Sequence, residues 1–189
     1  GYHLPSSPPS WLPMPPPSPG CEEGELQVTA TATRSGGGSP TLFGPELAAN
    51  GIYGPGNTPT CTPCGYGCWH WTSAGNNQST STAWYQLEWT APQEVCQVWI
   101  DTKQPAAECS CGTGRLLSGA DIQTWDGSTW VTHGTVSSQL DDWGFTLPSC
   151  VTTTRVRLYR MYVDPAAGGQ TSNPCIYEVK VYGCGTSTP

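Results

Sequence analysis

The stretch 26–34, LQVTATATR, alternates strictly: Leu26, Val28, Ala30 and Ala32 against Gln27, Thr29, Thr31 and Thr33. A period of two predicts a strand with one buried face. Comparable patterns recur at 84–90, 94–102, 120–125, 130–136, 143–147, 152–163 and 176–182. Between Trp125 and Trp130 lies DGST, an Asp-Gly hairpin signal flanked by aromatics. No segment sustains a 3.6-residue period. One short helical turn is expected at 45–50, PELAAN. Many short strands, turn-rich connections and no long helix predict an all-β protein, an antiparallel β-sandwich or jelly roll.

The first 20 residues, GYHLPSSPPSWLPMPPPSPG, follow none of this; eight of them are proline. Proline lacks the backbone N–H a ladder needs, so 1–20 reads as an extended polyproline II arm or linker. Trp11, Leu12 and Met14 give that arm apolar anchors, which a plain spacer does not require. Residues 21–184 form the folded domain, and 185–189 a short Ser/Thr/Pro tail.

Charge removes several function classes. The chain has 189 residues, 7 of them Lys or Arg, and a formal net charge of −7. So acidic a chain is a poor partner for phosphate backbones or anionic lipid surfaces. No stretch approaches the roughly 20 apolar residues of a membrane span. The N-terminus has no basic segment followed by an apolar run, so an export signal is expected to have been removed or to lie outside this sequence.

The cysteines set the compartment. There are 10, an even number that supports up to five disulfides in a secreted protein. They are Cys21, Cys61, Cys64, Cys68, Cys96, Cys109, Cys111, Cys150, Cys175 and Cys184. Asn77-Gln78-Ser79 is an N-glycosylation acceptor and fits an extracellular location.

The segment CTPCGYGCWHW, 61–71, concentrates the candidate chemistry. Cys61, Cys64, Cys68 and His70 have the spacing of a crowded zinc site. Disulfides account for all ten cysteines, whereas zinc here would leave an odd number of thiols, so we read the segment as a stapled loop. Its Tyr66, Trp69 and His70 are the candidate ligand-binding residues. Nothing marks a spare, activated thiol, and there is no nucleophile elbow, zinc-protease motif or phosphate loop. The acidic clusters, Glu22-Glu23-Glu25 and Asp141-Asp142, read as a solvated domain start and a turn, not as the separated carboxylates of a glycosidase. An enzyme is therefore not expected. Trp84, Trp89, Trp99 and Trp125 are expected in the core, and Arg155, Arg157 and Arg160 on an outward strand face.

Taken in order, PELAANG (45–51), CWHWTS (68–73), WYQLEWTAPQEVCQVWI (84–100), ADIQTWDGSTW (120–130), RVRLYRM (155–161) and IYEVKVYGC (176–184) resemble the discoidin family, the coagulation factor 5/8 type C domain. The resemblance implies an eight-stranded jelly-roll sandwich and a non-catalytic module that binds glycans, or extracellular matrix and cell-surface glycoproteins, through loops at one end. It implies a disulfide between Cys21 and Cys184, and a buried role for Trp71. It also implies one structural Ca2+ held by Asn50, Glu178 and carbonyls of 47–51. Asn50 stands where the family pattern has an aspartate, which removes a charge from that set. The cysteine-bearing segments 61–68 and 106–115 enlarge two loops relative to the family. A structural role is the alternative: a fibre or matrix subunit that self-assembles through residues 1–20.

Overall fold

The computed structural model describes residues 22–35, 45–49, 69–70, 83–101, 117, 119–137, 142–162, 175–176 and 178–185. Residues 1–20, Cys21, Asn50, the segment 61–68 with Tyr66, Trp71, Asn77, Cys109 and Cys111 lie outside the described residues.

Among the described residues nine strands run β1 (Glu22–Glu25), β2 (Thr31–Arg34), β3 (Trp69–His70), β4 (Trp84–Asp101), β5 (Gly119–Trp125), β6 (Trp130–Ser137), β7 (Asp142–Tyr162), β8 (Cys175–Ile176) and β9 (Glu178–Gly185). All pairings are antiparallel, in the order β1-β9-β4-β7-β5-β6 with β2 also on β4, and β3 pairs with β8 separately.

Two long strands turn this ladder into a sandwich. β4 pairs with β7 from Trp84 to Asp101, but the register breaks between Glu88 and Gln93 and again between Val95 and Gln97. Before the first break β4 runs between β2 and the second half of β7; after it, between β9 and the first half of β7. The result is a five-stranded layer (β2, β4, β7, β5, β6) and a four-stranded layer (β1, β9, β4, β7). This is the expected jelly roll. The stretches predicted as separate strands at 84–90 and 94–102, and at 143–147 and 152–163, are instead single strands that cross between layers.

The core follows from period-two alternation. Tyr85, Leu87 and Trp89 on β4, Val156 and Leu158 on β7, and Ala120 and Ile122 on β5 line one layer. Val98 and Ile100, Leu147, and Val179 and Val181 line the other. Each side chain is buried in a single cluster, and full burial of one such apolar side chain contributes about 1.5–3 kcal/mol. Cys96, at the second register break, is disulfide-bonded to Cys150 and so locks β4 to β7. Cys184 is also disulfide-bonded.

Three further sequence expectations change. The stretch 26–34 is not one strand: a 3-10 turn, Gln27–Thr29, interrupts it, and Val28 is exposed while Gln27 is fully buried. The cause is hydrogen bonding. Gln27 Oε1 accepts the Val181 N–H at 3.0 Å, its Nε2 donates to Glu25, and the Leu26 carbonyl accepts the Trp89 indole N–H at 2.9 Å. These bonds satisfy buried polar groups that a straight strand would leave unpaired. The acidic stretch 22–25 is a strand on the edge of β9 rather than a solvated lead-in. Finally, Asp142 opens β7 instead of sitting in a turn. The short turn expected at 45–50 is present as a 3-10 turn, Pro45–Ala49.

Candidate functional site

Strand direction places the long connections. β4 ends at Asp101, opposite Asp142 where β7 begins and Glu178 where β9 begins. β5 begins at Gly119, opposite Ser137 at the end of β6 and Tyr162 at the end of β7. The connections 102–118, 138–141 and 163–174 therefore all leave from one end of the sandwich. The opposite end carries the Trp125–Trp130 hairpin and the paired termini Glu22 and Gly185.

The loop end also receives the aromatic segment. Trp69 pairs with Ile176 and His70 with Cys175. Ile176 is fully buried, so this short ladder is anchored to the core two residues before Glu178. The turn Pro45–Ala49 packs against β2, β3 and β9, with Ala48 and Ala49 buried. Of the sequence-predicted site residues, the backbone thus brings Trp69, His70 and Glu178 to one end. Asn50 follows the turn directly in sequence but lies outside the described residues.

Glu178 opens β9 at this end. It is 2% exposed. A carboxylate removed from water needs hydrogen bonds, a cation or a metal. Its charge reaches the interior: burial first, then the charges of Glu178 and Glu46, push the Tyr85 phenol well up. On the same strand, burial and then Glu25 raise the Tyr182 phenol, with Glu178 adding to the shift. Glu178 brings one carboxylate to this end, and a Ca2+ needs six to eight oxygens. The grouping with metal-like spacing among the described residues is Glu94, Cys96 and Cys150, whose two sulfurs are bonded to each other.

The outward face of the five-stranded layer is a second polar and aromatic surface. Cross-strand register arranges it in rows. One row reads Thr33, Gln86, Arg157, Gln123, Thr132, and the next Trp84, Tyr159, Asp121, Thr135. Arg157 Nε donates to Gln123 Oε1 at 2.6 Å, and Gln123 Nε2 donates to Thr132 Oγ1 at 2.7 Å. The Arg157 guanidinium lies 4.1 Å from the Trp130 ring centroid and 4.3 Å from that of Tyr159. Arg155 lies over Trp125 at 5.3 Å and pairs with Glu88 at 2.9 Å. Arg160 pairs with Asp121 at 3.4 Å, and Thr135 donates to the same carboxylate.

The three arginines do occupy an outward face, as expected. Trp84 and Trp125 join them there, half-buried, instead of entering the core. Their strand parity sets this: they alternate with the buried Tyr85 and Thr124. Trp89 is core as expected, and Trp99 is buried outside the main cluster with the Lys180 ammonium 4.6 Å from its ring centroid.

No family model matches the sequence, and no curated protein matches it. Solved structures do. A family 32 carbohydrate-binding module from NanJ of C. perfringens, in complex with galactose, superposes with a TM-score of 0.60 at 14% identity, over 85% of this chain and 99% of that one. The F5/8 type C domain of a Bacteroides fragilis protein gives 0.59 at 17%, over 89% and 100%. A chitosan-binding module from a chitosanase/glucanase of Paenibacillus sp. gives 0.58 at 18%, over 85% and 99%. The chain therefore has the fold shared by F5/8 type C, discoidin-like domains and family 32 carbohydrate-binding modules. At these identities the likeness is one of fold.

Proposed function

We propose that this protein is a non-catalytic, extracellular glycan-binding module that meets its ligand through the loop end of the sandwich. The observation that carries the reading is topological. The long connections and the Trp69–His70 strand gather at one end, while Glu22 and Gly185 pair at the other. A tether at one pole leaves the opposite pole free to engage a ligand. Neighbours of the same fold bind galactose and chitosan, two different sugars, so the fold supports a glycan as the class of ligand without fixing which one.

Tyr66, Trp69 and His70 are the residues assigned to contact the sugar. Aromatic rings pack on the apolar faces of sugar rings, and a few polar groups fix orientation. A Ca2+ beside Glu178 would order the 45–50 turn and so brace the loop end. The Cys96–Cys150 bond and the bonded Cys184 support an oxidising, extracellular setting, in which Asn77 can carry a glycan. Residues 1–20 precede β1 at the pole opposite the loops, so assembly through that arm is compatible with binding at the other end.

A glycan array probed with the folded protein tests this reading. Binding to at least one neutral glycan that is lost in Trp69→Ala or Tyr66→Ala supports it. Silence of the folded wild type across a broad array overturns it.

A further inference from the structure

The loop-end reading does not use the outward face of the five-stranded layer, and that face is built to a specification. Three of the chain's seven basic residues stand on its central strand, β7. Two have their anions already: Arg155 pairs with Glu88 and Arg160 with Asp121. Among the described residues no carboxylate pairs with Arg157. The nearest exposed acid on the hairpin, Asp126, is committed elsewhere. Its two oxygens accept from the Ser128 and Thr129 backbone N–H groups and from both hydroxyls.

Arg157 is nevertheless held in place. Its Nε edge is fixed by Gln123, which is fixed in turn by Thr132, and its planar guanidinium lies close to the rings of Trp130 and Tyr159. A guanidinium whose Nε edge is occupied retains its Nη edge as a planar, two-toothed donor. Such a fork matches a carboxylate in a bidentate geometry. Around it the face offers half-buried aromatics (Trp84, Trp125, Trp130) and the amide of Gln86, the residue types that pack on sugar rings and address hydroxyls. In a chain of net charge −7, an anion finds favourable potential where a fixed cation has no internal counterion.

We propose that this face is a second binding surface, distinct from the loop end, for glycans that carry carboxylates: uronic-acid polymers, with Arg157 as the carboxylate reader. The carbohydrate part of the proposal rests on the glycan-binding reading above; the site and the acidic class rest on Arg157 and its surroundings.

Affinity gel electrophoresis tests it, with polygalacturonate, a neutral galactan and dextran sulfate each cast in the gel. Polygalacturonate retards the wild type, and Arg157→Gln weakens that retardation by about tenfold or more, the size of a lost charge-assisted hydrogen bond. Gln123→Glu does the same by a different route, since it hands Arg157 an internal carboxylate. It keeps the proposal testable if Arg157→Gln fails to fold. Trp69→Ala keeps full retardation by polygalacturonate, which separates this surface from the loop end. Four outcomes overturn the proposal: no retardation of the wild type by polygalacturonate, equal retardation of wild type and Gln123→Glu, loss of retardation in Trp69→Ala, or retardation by dextran sulfate alone.

Discussion

Gly183 of β9 passes so close to the backbone of Glu94 in β4 that a β-carbon at position 183 would collide with the Glu94 carbonyl oxygen. Glu94 pairs with Cys184 and Val95 with Gly183, just before the register break that carries the Cys96 disulfide. The obstructing atom is backbone in the middle of a sheet, so it cannot swing aside. Gly183→Ala is expected to cost about 3 kcal/mol or more in a urea titration, at the upper end of overpacking effects. Gly24→Ala on β1 is the control, because nothing lies within 4 Å of its β-carbon position. Its cost is expected to stay within about 0.5 kcal/mol.

The Cys96–Cys150 bond joins residues 54 apart in sequence. Closing a loop of that length restricts the unfolded chain, so the Cys96→Ala/Cys150→Ala double variant is expected to lose roughly 2–4 kcal/mol. Non-reducing peptide mapping addresses the bonded Cys184. β1 sets Glu23 opposite Cys184, two residues from Cys21 along the chain. The expected linked peptide contains Cys21 and Cys184, and a Cys184 peptide linked elsewhere contradicts that pairing.

Stability should depend on pH through His133 on β6. Burial lowers its imidazole below the ordinary value of 6.5, and the ring is hydrogen-bonded to the Thr124 hydroxyl at 2.7 Å. The unfolded chain therefore takes up this proton before the folded one does. The histidine's contribution is fully present above pH 6.5 and is lost as pH falls through the lower, folded-state value. Thermal melts of wild type and His133→Gln should converge over that window. Asp126 acts further down: hydrogen bonds from Thr129 and Ser128 hold its carboxyl at about 2, against an ordinary 3.8. Its contribution is present above pH 3.8 and lost as pH falls through about 2. Melts of Asp126→Asn should therefore show a flatter acid limb than wild type.

The strand pattern was largely legible because alternation reports burial directly. Tyr85, Leu87 and Trp89 alternate with Gln86 and Glu88, and the sheet buries the first set. Alternation cannot report a polar side chain that is buried to satisfy another strand, which is why Gln27 hides a 3-10 turn inside an apparent strand. Nor can it say that β4 and β7 continue past their breaks, since continuity is set by the partner strand. Trp84 and Trp125 are apolar by composition but outward by parity, and parity favours the correct answer. The Arg157 surface depends on register across four strands, Gln86 to Thr132, information no single stretch contains. Only the family resemblance singles out Glu178, because a lone glutamate in a strand carries no local signal of burial.

The calcium proposal is checked by differential scanning calorimetry. Ca2+ in millimolar excess is expected to raise the melting temperature of wild type, and chelation to reverse it, as for any ligand that binds only the folded state. Glu178→Gln should remove the Ca2+ response. A Ca2+-dependent shift that survives in Glu178→Gln places the ion elsewhere.

The central claim is that the loop end of this sandwich reads a glycan. Its most direct test is a glycan array probed in parallel with wild type, Trp69→Ala and Arg157→Gln, each verified as folded by its melt. The account predicts that wild type and Arg157→Gln bind the same neutral glycans and that Trp69→Ala loses them. Neutral-glycan binding that is unchanged in Trp69→Ala, or no binding by the folded wild type, contradicts it.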